Sequence, residues 1–230
     1  MARVCGHRGA KGLAPENTLA AFACALSLGV DLVECDVHGT ADGRAAVIHD
    51  DTLERTTNGR GRVERHSMEA LRELDAGKGE PVPELCELLS LIKGRAELAC
   101  EIKVAAAVVP AVAAVRDAGM VDQTVFIAFD WDHLRQVKAI EPKARIAALL
   151  WDCTDRLLDE ALALGGGVDM HFKRVSLAVA ERVHAAGSFL WVYTPNTWEQ
   201  HRLLIDLGVD ALTTDRPDIF LAGLRGEVGG

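Results

Sequence analysis

The sequence predicts an α/β protein of the (β/α)8 TIM-barrel class, one domain over residues 1–230, with a short hairpin and loop inserted after the second strand. Three observations carry this. Short apolar runs alternate with longer amphipathic ones, roughly eight times in all. The apolar runs are continuous rather than alternating, as in parallel strands covered on both faces. The length of 230 residues suits one barrel, a fold that typically needs about 250. An open doubly wound sheet is the alternative reading of the same alternation.

Each element has a local reason. Arg3 to Gly6 reads as the first strand. Thr18 to Leu28 reads as a helix, with Asn17 or Thr18 as its cap after Pro15 and Gly29 as its stop. Asp31 to Val37 is the second strand, and Arg44 to Ile48 follows the Asp42-Gly43 turn as its hairpin partner. A polar stretch from Asp50 to Glu80 is expected to be loop, with a short helix around Ser67 to Leu74. Pro83 and Glu84 open a helix that runs to Ile92. The strands Glu97 to Lys103, Thr124 to Phe129, Arg145 to Leu150, Val168 to Phe172, Phe189 to Tyr193 and Ala211 to Thr213 then follow. The helices Ala105 to Ala118, Asp132 to Ile140, Asp155 to Leu164, Ser176 to Ala186, Asn196 to Leu207 and Pro217 to Leu224 separate and close them. Gly119, Gly165, Gly187 and Gly208 stand at helix stops.

Composition excludes several classes. Apolar residues make up 49% and charged residues 26%, which rules out a disordered or fibrous chain. The formal charge of −9 and the lack of a basic run argue against a nucleic-acid partner. A small phosphate substrate stays open, because a bound divalent cation inverts the local field. The six cysteines form no CxxC pair, and Cys5, Cys35 and Cys100 sit inside apolar strands, so reduced core thiols are expected. No apolar targeting run follows Met1 and no apolar stretch is long enough to span a bilayer, so no stable membrane insertion and a cytoplasmic location are expected. Apolar residues of the outer helices, such as those from Ala106 to Val115, would allow a homo-oligomer, although barrel helices are apolar on their inner face in any case.

The strand ends carry the chemistry. Strand one runs into His7-Arg8-Gly9, strand two holds Glu34 and Asp36, the hairpin ends in His49-Asp50, and the next strand holds Glu101 and Lys103. Trp191 and Tyr193 stand on a later strand, and the last runs into Thr214-Asp215. In a barrel these C-terminal ends converge on one face. Residues two apart share a strand face, so Glu34 pairs with Asp36 and Glu101 with Lys103. Three carboxylates in apolar strands need a reason, and Mg²⁺ or Ca²⁺ supplies one. The competing reason is a buried ion-pair network with Arg8 and Lys103. His7 and His49 suit general acid and base roles, and the two cations suit a phosphoryl group. Together they point to phosphoester chemistry. His38, His66, His133, His184 and His201 read as surface or packing residues, Asp51, Arg55 and Asn58-Gly59 as turn chemistry, and His171 stays open between site and packing.

In this order along the chain, His7-Arg8-Gly9, Pro15-Glu16-Asn17-Thr18, Glu34-x-Asp36, His49-Asp50-x-x-Leu53-x-Arg55-Thr56-Thr57 with Asn58-Gly59, Glu101-x-Lys103, the Trp191 region and Thr213-Thr214-Asp215-Arg216-Pro217 resemble the glycerophosphodiester phosphodiesterases. The resemblance covers nearly the whole chain. It implies a (β/α)8 barrel that hydrolyses glycerophosphodiesters to glycerol 3-phosphate and an alcohol. It implies catalysis by His7 and His49, substrate contacts from Arg8, Lys103 and Trp191, and a divalent metal ion (Mg²⁺, Ca²⁺ or Mn²⁺) on Glu34, Asp36 and Glu101. The chain departs from the family pattern at Ala128-Phe129, where Ser-Phe is common, and at Thr194-Pro195-Asn196, where Thr-Val-Asn is common. The segment between His49 and Glu101 also looks short for the family's inserted subdomain. A lysophospholipase D-type phosphodiesterase on the same barrel is the alternative enzyme, with Trp131 and Trp151 as apolar candidates near strand ends. A binding barrel without catalysis is the alternative class.

Overall fold

A computed structural model describes residues 2–227. Eight strands close into a parallel barrel: β1 (Arg3–Gly6), β2 (Leu32–Gly39), β4 (Glu97–Ile102), β5 (Thr124–Ala128), β6 (Arg145–Leu150), β7 (Gly167–His171), β8 (Leu190–Tyr193) and β9 (Ala211–Thr214). The seam is β1, which pairs with β9 on one side and β2 on the other. The ninth strand, β3 (Ala45–Val47), lies antiparallel outside β2 as the expected hairpin partner. The barrel alternative is therefore the one that forms, and the open sheet is not.

Period-two alternation sorts each strand into two cores. Val4, Val33, Cys35, Val37, Leu98, Cys100 and Phe126 face outward into the shell between sheet and helices. Cys5, Leu32, Ala99, Val125, Ile127, Ala147, Leu149, Trp191 and Ala211 fill the barrel interior. The inward set continues upward as His7, Glu34 and Asp36, and Glu101, toward the C-terminal strand ends.

The helices that cover the sheet begin and end as the sequence dictates. α1 (Leu19–Leu28) is capped by Thr18, whose hydroxyl accepts from Ala21 N, and ends at Gly29 in the left-handed region (φ 87°). α3 (Leu85–Ile92), after the short α2 (Met68–Arg72), starts with a reciprocal bond pair between Glu84 and Glu87. α4 (Val108–Asp117) is shorter than expected, because Ala105–Ala107 form a tighter 3-10 turn and Pro110 falls in the first α turn, where its missing N–H is harmless. α5 (Trp131–Ile140), α6 (Asp155–Leu162), α7 (Leu177–Ala185), α8 (Trp198–Asp206) and α9 (Pro217–Leu224) complete the ring.

One expectation changes. The polar stretch after β3 is more than loop. Leu53, Val63, Met68, Leu71, Ala76 and Val82 pack with Ala46 and Ile48 into a third, separate hydrophobic cluster. Its apolar residues are spaced too irregularly to show a helical or strand period. The loop bearing His49 and Asp50 thus enters a packed insertion.

Candidate active site

A pocket of about 200 Å³ opens at the C-terminal strand ends, lined by His7, Arg8, Glu34, His49, Glu101, Lys103, Ile127, Phe129, Leu149, Trp151, Asp169, Tyr193, Thr194 and Thr213. Seven of the eight residues expected at the site meet at or under this pocket, with Asp36 buried beneath its rim. Trp191 is the exception. It is 3% exposed, packs against Phe189 at 4.9 Å in the interior core and does not line the pocket. Tyr193, two residues on and at the strand end, does. Lys103 lies one residue beyond β4, and its backbone N–H donates to Val37 O, which extends the ladder and keeps the side chain on the inward face.

Glu34, Asp36 and Glu101 each offer a carboxylate oxygen within 4.8 Å of the other two. The ion-pair network also forms: Arg8 Nε lies 3.2 Å from Asp36 Oδ2, Lys103 Nζ 3.4 Å from Asp36 Oδ1, and Lys103 Nζ donates to Glu101 Oε1 at 2.7 Å. It leaves Glu34 Oε1 and Asp36 Oδ1 buried without a hydrogen-bond partner. Orphaned acceptors of this kind are expensive in a protein interior, and a hard divalent cation is the group that uses them. The donor set fits such an ion. Burial, then the charge of Asp36, pushes the Glu34 carboxyl well up, and the same two causes bring Glu101 to about 7. Burial pushes Asp36 upward too, but Arg8 and Lys103 outweigh it and hold this carboxylate well below its usual range.

The histidines share one arrangement. His7 Nδ1 lies 2.5 Å from Asp215 Oδ1, and His49 Nδ1 lies 2.6 Å from Asp50 Oδ1. Both carboxyls are held below their ordinary range. For Asp215, burial is outweighed by His7, Lys11 and Asn196; for Asp50, the hydrogen bond from Arg55 dominates. An ionised carboxylate only accepts, so Nδ1 carries the proton in each ring and Nε2 keeps its lone pair. His7 Nε2 lies 3.9 Å from Glu34 Oε2, at the edge of the acidic set. Burial lowers the pKa of both rings, so both favour the neutral form at pH 7.

The sequence reading gave no site role to the residues that brace this arrangement. Asn17 donates from Nδ2 to Asp36 Oδ2 at 2.8 Å and accepts from Asp36 N; Thr18, not Asn17, caps the helix. Glu16 bridges Arg8 (2.7 Å) and Arg55 (2.8 Å), and Arg55 reaches Asp50 (2.6 Å). Arg55 is therefore a brace and not mere turn chemistry. Asn196 holds Asp215 from two sides, through its own amide N–H to Oδ2 and the Asp215 backbone N–H to its carbonyl. Arg8 itself sits at φ 49°, uncommon for a side-chain-bearing residue, pinned by its N–H to Glu34 Oε2 and by Asn17 N to its carbonyl. The packing assignment of His38 and His201 gains detail: each ring donates to a carbonyl, of His49 and Pro195 respectively, fixing two loops of the site. His171 lies at the rim, 5.0 Å from the Trp151 ring.

The chain has known relatives. Residues 7–219 match the model of the glycerophosphoryl diester phosphodiesterase family. The chain belongs to this family. It is 32% identical to a glycerophosphodiester phosphodiesterase of Caldanaerobacter subterraneus subsp. tengcongensis, over 96% of this chain and 97% of that protein. Among solved structures it is similar to a glycerophosphodiester phosphodiesterase of Agrobacterium tumefaciens, with TM-score 0.85, 34% identity and coverage of 96% of this chain and 100% of that one. It is also similar to a phosphodiesterase of Oleispira antarctica in complex with the product sn-glycerol-3-phosphate, with TM-score 0.92, 27% identity and coverage of 97% and 96%. Family membership makes the chain a phosphoric diester hydrolase. Among the described residues no helix is long and apolar enough to cross a membrane.

Proposed function

We propose that this family member hydrolyses glycerophosphodiesters to glycerol 3-phosphate and an alcohol, using a divalent cation and two histidines. The observation that carries the reading is the pairing of Glu34, Asp36 and Glu101, with their orphaned oxygens, with the flanking His7–Asp215 and His49–Asp50 dyads in one pocket. The product named in the Oleispira antarctica complex fits the same reading.

Glu34, Asp36 and Glu101 would hold the cation, Mg²⁺, Ca²⁺ or Mn²⁺, which supplies Lewis-acid stabilisation of phosphoryl oxygens when bound. Arg8 and Lys103 line the pocket beside that set and bind the phosphodiester's negative oxygens, neutralising charge as it builds in the transition state. One histidine takes a proton at Nε2 from the attacking oxygen. The other must first take up a proton at Nε2 from solvent, which it then gives to the leaving oxygen. Asp215 and Asp50 keep Nδ1 protonated so that Nε2 is the working atom in both rings. Asn17, Glu16 and Arg55 keep Arg8 and Asp36 in register with each other. The six free cysteines, three of them buried within strands, fit a reducing, cytoplasmic setting.

The test is an assay with glycerophosphocholine in the presence and absence of EDTA. Chelation abolishes glycerol 3-phosphate release, and added divalent ion restores it. Full activity in the chelated protein would remove the metal from the mechanism. Exposed Phe129 and Trp151 at the pocket mouth (48% and 65%) favour a second substrate class, lysolipids, by the same chemistry. Phosphorus NMR of the products separates a cyclic phosphate from a monoester.

A further inference from the structure

One group in the pocket takes no part in the machinery above. Asp169, on β7, faces inward in register with Leu149 of β6 and Trp191 of β8, both residues of the interior core. It lines the pocket, yet the residue is only 2% exposed. Its Oδ1 is buried and meets no hydrogen-bond donor among the described residues. The nearby walls are Ile127, Leu149 and Tyr193. Tyr193 cannot satisfy it, because the Tyr193 hydroxyl is already committed to Leu150 O at 2.7 Å. The cations are engaged elsewhere: Arg8 with Glu16 and Asp36, and Lys103 with Glu101.

A buried carboxyl with no internal partner destabilises the fold it sits in. A leucine or valine in its place would match the apolar interior residues beside it on the neighbouring strands, Leu149 and Trp191. The charged half of the pocket accounts for the phosphodiester, and the opposite wall, of Ile127, Leu149 and Tyr193, carries Asp169 as its buried polar group. A glycerol unit carries two free hydroxyls, each a donor and an acceptor, and must be told from other alcohols by a polar group on an otherwise apolar wall. Burial, with a smaller push from Glu101, raises the Asp169 carboxyl to about 8, so at neutral pH it is able to donate as well as accept.

We infer that Asp169 is the specificity residue for the glycerol unit, its carboxyl group hydrogen-bonding the free hydroxyls and holding the diester in register with the histidines. This rests on the glycerophosphodiester reading above and names the group that selects that substrate. Asp169 is not placed among the metal-holding or proton-transferring residues.

The experiment compares wild type with Asp169→Asn and Asp169→Ala on three diesters at saturating divalent ion: glycerophosphocholine, the uncharged-alcohol substrate glycerophosphoglycerol, and bis(4-nitrophenyl) phosphate, which has no glycerol. Asp169→Ala lowers kcat/KM for both glycerol diesters by roughly ten- to a hundredfold, while hydrolysis of the nitrophenyl diester changes less than about twofold. Asp169→Asn, which keeps one donor and one acceptor, recovers part of the loss. The melting temperature of Asp169→Ala stays level or rises, since a buried orphan is removed, and that of Asp169→Asn does not fall, since its side chain carries no charge to bury. Equal loss on all three diesters, or a fallen melting temperature with that loss, would assign Asp169 to the scaffold and overturn the inference. Loss on glycerophosphocholine alone would assign it to the cationic alcohol, which also overturns it. A wild-type protein that cleaves only the nitrophenyl diester would remove the glycerophosphodiester reading and this inference with it. Activity of wild type on glycerol diesters with unselective variants removes the inference alone.

Discussion

The two halves of the pocket are built on opposite principles. The side formed by β1, β2, β4 and the loop after β3 is a lattice of charge, in which His7, Arg8, Glu34, Asp36, His49, Glu101 and Lys103 are each held by at least one named partner within 4 Å or by the acidic cluster itself. The side formed by β5 to β8 is apolar, with Ile127, Phe129, Leu149 and Trp151, and among the described residues its one buried charge-bearing group, Asp169, stands alone. The first half can neutralise and reorganise charge; the second can exclude water and seat the organic part of the substrate. Charge chemistry needs many mutually bracing groups because each ion is costly to bury by itself. Shape needs only a wall.

The sharpest way to break this comparison is within the charged half. His7→Ala or His49→Ala lowers kcat by roughly 10²- to 10⁴-fold with an unchanged circular dichroism spectrum, measured with glycerophosphocholine. Near-normal turnover in either variant would remove that ring from proton transfer. A smaller effect tests the brace behind the ring. Asp215→Asn keeps the shape but loses the ionised acceptor, and kcat falls by roughly ten- to a hundredfold. Unaltered kcat would show that His7 is oriented without it.

The apolar half should respond in a different parameter. Phe129→Ala or Leu149→Ala raises KM about three- to tenfold with little change in kcat, because such contacts are made alike in ground and transition states. A loss confined to kcat would mean the wall acts on the transition state, and the division between the halves would dissolve.

The smallest effect concerns stability and pH. Asp169 keeps its proton in the folded chain up to about 8, against an ordinary 3.8. Between those values the unfolded chain has released that proton and the folded chain has not, so the contribution of this group to stability falls as pH rises. The melting temperature of Asp169→Asn therefore gains on wild type as pH climbs from about 4 to about 8, and the gap stays constant beyond. Parallel curves across the range would show an Asp169 that ionises normally.

The same contrast explains what could be read from residues alone. Glu34, Asp36 and Glu101 stand out because they interrupt apolar strands, where a charge has no routine purpose. Their inward direction follows from the period of two. Ile127 and Leu149 are indistinguishable in sequence from the core residues beside them, since lining a pocket and filling a barrel demand the same side chains. Trp191 illustrates the depth problem: alternation fixes the face on which a residue points but not its height along the barrel axis, and one step of two separates buried Trp191 from pocket-lining Tyr193. Asp215 was legible as a strand-end residue but not as the partner of His7, and Asn17 and Asn196 only as helix-start types, because their roles lie in partners remote along the chain. The small core beneath the inserted segment was hidden for a similar reason. Leu53, Val63, Met68 and Leu71 meet through tertiary folding and obey no local period.

The seam between β1 and β9 has a consequence for how the catalyst comes into being. His7 and its carboxylate partner Asp215 are 208 residues apart, each one residue past the end of two strands that pair only when the circle is complete. On a ribosome, the histidine emerges 208 residues ahead of its partner. A chain synthesised past β4 but short of β9 therefore carries the acidic residues of β2 and β4 and lacks the carboxylate that orients His7. Full activity reports closure: refolding followed by product release lags behind refolding followed by helix content, since the ring must shut before His7 meets Asp215.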